Sequence, residues 1–337
     1  MAKGGDKILL AHGSGGKIAH ELVKRSFVQA LDNPLLSKLD DSAVADFEGR
    51  LAFTTDSYVV SPIFFPGGDI GKLAVCGTVN DLAMSGAKPL YLSLALIIEE
   101  GLPLSDLERI VASIVKATGE ADVVIATGDT KVVHRGSADK LFINTAGIGL
   151  VPPGVDISGS NAKPGDKVIL SGAIGDHGIA VLSRREGLDF STKLKSDCAP
   201  LNRLVADMLK ASRDMHCLRD PTRGGLATTL NELAQQSQVS IRIEEEAIPV
   251  REEVHAACEM LGLDPLYIAN EGKLVAIVPD SDANAVLKTM RRNRYGKKAC
   301  IIGEVKSENP GRVVMHTRIG SSRIVDMLVG DPLPRIC

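Results

Sequence analysis

Two trains of alternating strand-like and helix-like segments, broken once, set what this chain can fold into. "RLAFTTDSYVV", "LYLSLALII", "DVVIATGDT" and "KLFINTAGIGLV" are apolar runs of strand length. Helical spacing occupies the intervals, over about 18–31, 70–86 and 104–118. "KILLA" reads as a further short strand near the start. Prolines and glycines then cluster in "VPPGVD" and "NAKPGD", around 152–166, which is where the chain divides best. The pattern restarts with the strand "KVILSG". Helices are expected over about 200–212, 224–236, 251–262 and 282–293, and strands in "KLVAIVP", "ACIIGEV" and "RVVMH". With 337 residues there is length for two cores. The expected organisation is an α/β N-terminal domain over 1–155, an α+β C-terminal domain over 156–331 and a short tail over 332–337.

Bulk properties exclude several function classes. A net charge of −3 gives no general affinity for nucleic acid or an anionic membrane. Tryptophan is absent and aromatics are 3%, too few for a base-stacking platform. No apolar run reaches the length of a membrane span, and "MAKGGDKILLAHGSGGK" lacks a signal peptide's apolar core, so the cytoplasm is expected. Six cysteines without CxxC spacing argue against a zinc site or a disulfide framework. Cys76, Cys258 and Cys300 fall in apolar patterns as packing residues, whereas Cys198 and Cys217 look adjacent to loops.

The chemistry resides in aspartates. Asp40 and Asp41 stand in "LDDSAV", Asp56 in "FTTDS", Asp81 in "TVNDLAMSG", Asp129 in "ATGDTK" and Asp220 in "LRDPTRGGL". Each ends an apolar run or sits in a Gly, Thr or Asn turn. One such aspartate is most simply a turn or cap residue. Several beside apolar strands point to Mg²⁺ shared between carboxylates and nucleotide phosphates. No GxxxxGK[ST] loop occurs. "HGSGGK", "GAIGDHG" and "TRGG" put glycines at helix starts, where a tight turn and an anion cradle are equally good readings. His12 and His177 lie in two of these turns, and a structural role is the simpler reading for each.

In this order, "LDDSAV", "FTTDS", "NDLAMSGAKP", "GDTK" and "DPTRGGL" resemble the ATP-binding superfamily of aminoimidazole ribonucleotide synthetase, selenophosphate synthetase and thiamine-monophosphate kinase. Within it, "HGSGGK", "DSYVVSPIFFPGGDIGKLAVCGTVNDLAMSGA", "TGDTKVV", "ANEGKL" and the final "PRIC" resemble the HypE family of hydrogenase maturation factors, from about residue 9 to 337. The resemblance implies an N-terminal domain that forms a homodimer through its sheet, and ATP in the cleft between domains. It implies Mg²⁺ on Asp41, Asp56, Asp81 and Asp220, with Asp129, Gly128, Thr130 and Arg223 also contacting the nucleotide. It further implies that Cys337 receives a carbamoyl group from a carbamoyltransferase, HypF. ATP-dependent dehydration then gives a thiocyanate, whose cyano group passes to iron on a HypC–HypD complex for [NiFe]-hydrogenase.

That implied reaction makes sense of the residues. An amide oxygen is a poor leaving group until it is phosphorylated, and both nitrogen protons must also depart, so a base is needed. Glu271 in "ANEGK" and Lys131 in "GDTK" are the candidates, with a phosphate contact the alternative for Lys131. The thiol suits carbamoyl capture because a thiolate is a strong nucleophile. A mobile tail suits it too: Pro332 and Pro334 favour an extended segment reaching roughly 20 Å, and Arg335 could anchor it on a carboxylate or phosphate. A selenophosphate synthetase is the first rival, weakened because the first cysteine, Cys76, falls inside a helical pattern rather than near the N-terminus. The second is a non-catalytic thiol carrier, which has no use for the aspartates.

Overall fold

The structure is a computed structural model describing residues 7–13, 17–38, 42–185, 193–330, 333 and 335–337. Asp40, Asp41, Pro332 and Pro334, all invoked above, lie outside the described residues.

The first domain carries a four-stranded sheet in the order β1 (Arg50–Tyr58), β6 (Leu141–Val151), β4 (Lys88–Glu99), β5 (Val124–Val133). Only β4 and β5 are parallel, because helix α3 (Leu104–Ala121) supplies the crossover that a parallel pair requires. The other pairs are antiparallel. β1 alternates strictly. Leu51, Phe53, Thr55 and Ser57 face outward, whereas Thr54, Asp56 and Tyr58 face a helix layer.

That layer is built from α2 (Ile70–Met84) and α3. A small ribbon, β2 (Phe64–Phe65) with β3 (Gly68–Asp69), leads into α2. Asp69 caps the helix, its carboxylate accepting from the N–H groups of Gly71 and Lys72 at 2.9 and 3.0 Å. α2 is apolar all round and buried almost all round, since it is wedged between the sheet, α3 and the second domain. Each large side chain it buries contributes about 1.5–3 kcal/mol, so its position is well determined.

The start of the chain departs from expectation. "KILLA" makes only one bridge, Lys7 to Pro103, and then a 3₁₀ turn over Leu10–Gly13. The helical stretch expected over 18–31 is α1 (Lys17–Leu22) followed by a wider π-type turn, Val23–Val28. Both pack on the edge of the domain, where β-branched and polar residues dilute the helical pattern.

The second sheet runs β13 (Ser322–Val325), β12 (Val313–His316), β9 (Ser240–Glu244), β11 (Cys300–Lys306), β7 (Lys167–Leu170), β10 (Val275–Val278), β8 (Cys217–Arg219). β7 and β10 read as unbroken apolar runs because both faces are covered. α6 (Gly225–Ser237) lies on one face, and α5 (Asn202–Ala211) with α8 (Asp280–Arg292) on the other. Helices α4 (Asp176–Leu182) and α7 (Glu252–Leu261) join the core of the first domain instead, so the two units share apolar surface. Cys198 and Cys217 are buried, and Cys300 is half-buried with its thiol on the Ala247 carbonyl. After β13 the chain returns to the first domain, where Ile336 is buried.

Candidate functional site

The cleft between the domains collects most of the sequence candidates. One cavity of about 260 Å³ is lined by Asp56, Tyr58, Gly77, Asp81, Asp220, Thr222, Arg223, Glu271 and Cys337. Asp81, Asp220 and Arg223 also line a larger cavity of about 650 Å³ that runs along Phe53, Thr54 and Ser158. A small reacting group fits the first and a nucleotide fits the second.

Local rules place each side chain. Thr54, Asp56 and Tyr58 are two apart on the covered face of β1, and Gly77 and Asp81 are four apart on one face of α2. The two elements are stitched together by Thr54, whose hydroxyl donates to Asp81 at 2.9 Å, and by Tyr58, whose hydroxyl lies 3.3 Å from that of Thr78; within β1 the Tyr58 hydroxyl also donates to Asp56 at 3.1 Å. Gly77 is required there, because a Cβ would lie 2.2 Å from the Tyr58 oxygen. In "DPTRGG", Gly224 and Gly225 take φ of 79° and 62°, a left-handed turn that starts α6 and holds Arg223 against the cleft.

Glu271 is held by its neighbours. Asn270, fully buried, accepts from Gly175 N–H at 2.7 Å and donates to the Pro221 carbonyl at 2.9 Å. The Glu271 N–H donates to Asp197 at 3.1 Å, and Asp197 pairs with Lys273 at 3.0 Å. Asn80 of α2 donates to the Glu271 carbonyl at 3.3 Å, which ties the loop across the domain boundary.

Cys337 lies in the cavity rather than away from it. Its thiol accepts from the Arg223 guanidinium at 3.5 Å, and its carbonyl accepts from Val59 N–H at 3.2 Å. The tail behind it runs beside residues 59–61. Ser61 N–H donates to the Arg335 carbonyl at 3.1 Å, and the Arg335 side chain donates to the Val59 carbonyl and pairs with Asp139 at 2.9 Å. Arg335 therefore anchors on a carboxylate, one of its two expected partners.

The electrostatics are those of a cluster of buried carboxylates that raise one another's pKa values. Burial, then Asp81, pushes Asp220 up to about 7. Burial, then Asp56, pushes Asp81 up to about 6. Burial drives Glu271 well above the carboxylate range, and Cys198 and Asp220 add to it. Burial and then Glu271 raise the Cys337 thiol, against the pull of Arg223. Among the described residues no three acidic, cysteine or histidine groups form a metal cage by themselves. The donor set therefore suits Mg²⁺ shared with phosphates, which takes only one or two carboxylates from the protein.

Gly128, Asp129, Thr130 and Lys131 are not brought into this cluster. They lie on β5, three strands from β1, or about 14 Å at sheet spacing. Asp129 and Lys131 are 64% and 66% exposed and face each other at 3.8 Å. Residues missed in the sequence include Tyr58, Thr54 and Asn270. Each lies inside a motif already quoted, Thr54 in "FTTDS", Tyr58 in the run that begins "DSYVV" and Asn270 in "ANEGK", but only the carboxylate of each motif was singled out.

Comparison with known proteins agrees with this geometry. "AIR synthase related protein, N-terminal domain" matches residues 39–151, and the corresponding C-terminal domain matches 163–316. "Carbamoyl dehydratase HypE" of Azotobacter vinelandii is 54% identical over 97% of this chain and 96% of its own length. A crystal structure of HypE in complex with ATP superposes with a TM-score of 0.95 at 54% identity, covering 98% of this chain and 99% of that one. A HypE–HypF complex structure aligns with a TM-score of 0.81 at 51% identity, over 91% and 99% of the chains. The chain therefore belongs to the HypE family of carbamoyl dehydratases, built on the two AIR synthase related domains.

Proposed function

We propose that this protein dehydrates an S-carboxamide carried on Cys337 to a thiocyanate, using ATP, and that the cyano group becomes a ligand of hydrogenase iron. The observation that carries this is the Cys337 sulfur standing in the same cavity as Asp56, Asp81 and Glu271.

Asp56, Asp81 and Asp220 would hold Mg²⁺, and the larger cavity beside them the nucleotide. Bound Mg·ATP supplies the phosphoryl group that lets the amide oxygen depart as phosphate. The chain's own residues do the rest. Arg223 reaches the sulfur and orients the group attached to it. Glu271, entering the step as the carboxylate and made more basic by burial, takes one proton from the amide nitrogen, and the second nitrogen proton leaves on the departing phosphate as the C–O bond breaks. The apolar tail residues Leu333 and Ile336 close over the cleft and exclude water.

The docked thiol is a poor nucleophile, since burial and Glu271 both disfavour its thiolate. The inward position suits a neutral carboxamide, so carbamoylation takes place with the tail released, on a carbamoyltransferase. HypF is the proposed donor, in line with the HypE–HypF complex among the relatives, and a HypC–HypD complex the proposed acceptor. A homodimer is proposed through the open face of the first sheet, where Phe53 is 70% and Leu51 49% exposed. Asp129 and Lys131 lie on β5 of that sheet and would act on the other subunit's site. No described helix is long and apolar enough to cross a membrane.

ATP turnover with and without a carbamoyl donor tests the reading. Donor-dependent turnover should appear in wild type and vanish in Cys337→Ala. Donor-dependent turnover surviving in that variant would favour a small-molecule synthetase of the same fold.

A further inference from the structure

His177 is a fully buried histidine that no step above uses. It stands in the first turn of α4 with its ring edge-on to Phe65, centroids 5.4 Å apart. Both nitrogens are engaged: Nδ1 lies 2.8 Å from the Ser196 hydroxyl, and Nε2 lies 2.9 Å from the carbonyl of Ile336, the residue before the reactive cysteine. A carbonyl only accepts, so Nε2 carries the hydrogen and Nδ1 must accept from Ser196. Burial holds the ring neutral, as this tautomer requires. The Ser196 oxygen in turn accepts from Cys198 N–H at 3.0 Å. The chain of donors thus runs from Cys198 through Ser196 and His177 to the tail.

The same loop holds the proposed base. Asp197, between Ser196 and Cys198, accepts from Glu271 N–H. One short segment therefore fixes both the tail carbonyl, through His177, and the Glu271 backbone. We propose that His177 is a positioning residue: its Nε2–H latches the Ile336 carbonyl and so holds Cys337 in register with Glu271 during dehydration. Arg185, half-buried, donates to the Arg335 carbonyl at 3.2 Å, one residue further back along the tail, in a hydrogen bond open to solvent. The His177 bond is buried and lies one residue from the sulfur, and a buried hydrogen bond is lost at full desolvation cost. Neither the hydrogen nor the ring touches the reacting group, so the effect is one of placement.

This inference rests on the proposed chemistry for its consequence, but its first readout does not need that chemistry. The rate of Cys337 alkylation by iodoacetamide reports how often the tail is released. His177→Phe keeps the ring and its contact with Phe65 but removes the donor, and alkylation should rise about 3- to 10-fold, the worth of one hydrogen bond. His177→Gln restores a donor near the Nε2 position and should return the rate most of the way to wild type. If His177→Phe does not fold, as read by a lost thermal transition, Ser196→Ala leaves the ring in place and should raise alkylation about 2- to 5-fold by freeing the tautomer. In single-turnover dehydration the same variants should slow in the same order, while carbamoylation by the transferase stays at or above the wild-type rate. Unchanged alkylation in folded His177→Phe, or in Ser196→Ala where that variant replaces it, overturns the latch, as does a rise that His177→Gln fails to reverse. Altered alkylation in a protein whose wild type dehydrates nothing would overturn the proposed reaction and leave the latch standing.

Discussion

Two aspartate motifs that look alike in sequence end in different places. "FTTDS" on β1 and "ATGDTK" on β5 both put an aspartate among threonines on an apolar strand. Asp56 turns toward the helix layer, beside Asp81 and Tyr58, in a pocket that raises its pKa through burial. Asp129 is 64% exposed beside Lys131. A β-bulge between Leu92 and Ser93, where β4 meets β5, shifts the alternation. Composition alone does not say which face a strand-end carboxylate takes, since one residue of register reverses it.

The predictions probe that contrast. The largest effect belongs to Cys337→Ala, which should abolish the protein-bound adduct seen by intact mass while leaving ATP affinity, measured by calorimetry, unchanged. Loss of ATP affinity would mean that the tail builds the nucleotide site. Next, Glu271→Gln should accept the carbamoyl group but dehydrate it about 10²- to 10⁴-fold more slowly in single turnover. Third, Asp81→Asn and Asp220→Asn should weaken Mg·ATP binding about 10- to 100-fold, whereas Asp129→Asn should leave the binding of a dilute monomer unchanged. Equal losses in all three would erase the distinction between the two motifs. Lys131→Ala sharpens it differently. If β5 serves the other subunit, mixing Lys131→Ala with Glu271→Gln protein should restore turnover in a fraction of sites, and no recovery would confine Lys131 to another role.

The smallest effect is on stability. Asp81 and Asp220 bind protons more tightly in the fold than their ordinary value of 3.8 allows, at about 6 and about 7. Between roughly pH 4 and pH 7 the folded state then holds more protons than the unfolded chain. Unfolding free energy without Mg²⁺ should therefore fall as pH rises through that window. Asp220→Asn should flatten this fall and stabilise the ligand-free protein at pH 7.5 by on the order of 1–2 kcal/mol. A melting temperature that rises with pH in the wild type would contradict the acid cluster.

Much of the scaffold was legible because period and punctuation are local. α2, α3, α5 through α8 and the long strands follow apolar spacing, and the Pro/Gly stretch at 152–166 does separate the sheets. The chain start was not legible. "KILLA" is apolar enough for a strand, but its one bridge is Lys7 to Pro103, and Ile8 exchanges backbone hydrogen bonds with Gly101 and Leu102 of a loop rather than with a strand. Of the candidate site residues, Asp56, Asp81, Asp220, Glu271, Arg223 and Cys337 line one cavity. Their supports did not announce themselves. Asn270 matters through three side-chain bonds to backbone groups and His177 through one carbonyl, and nothing in a residue's type records which backbone group will face it.

The central claim is that the sulfur of Cys337 carries an amide into the acid-lined cavity and loses water there. Intact-protein mass spectrometry after adding a carbamoyl donor, then Mg·ATP, tests it in one experiment. The account predicts a carbamoyl adduct on Cys337 that converts, only with ATP, to a species lighter by one water, and that stalls at the adduct in Glu271→Gln. An adduct that never appears on Cys337, or one that persists unchanged in wild type with ATP, would contradict it.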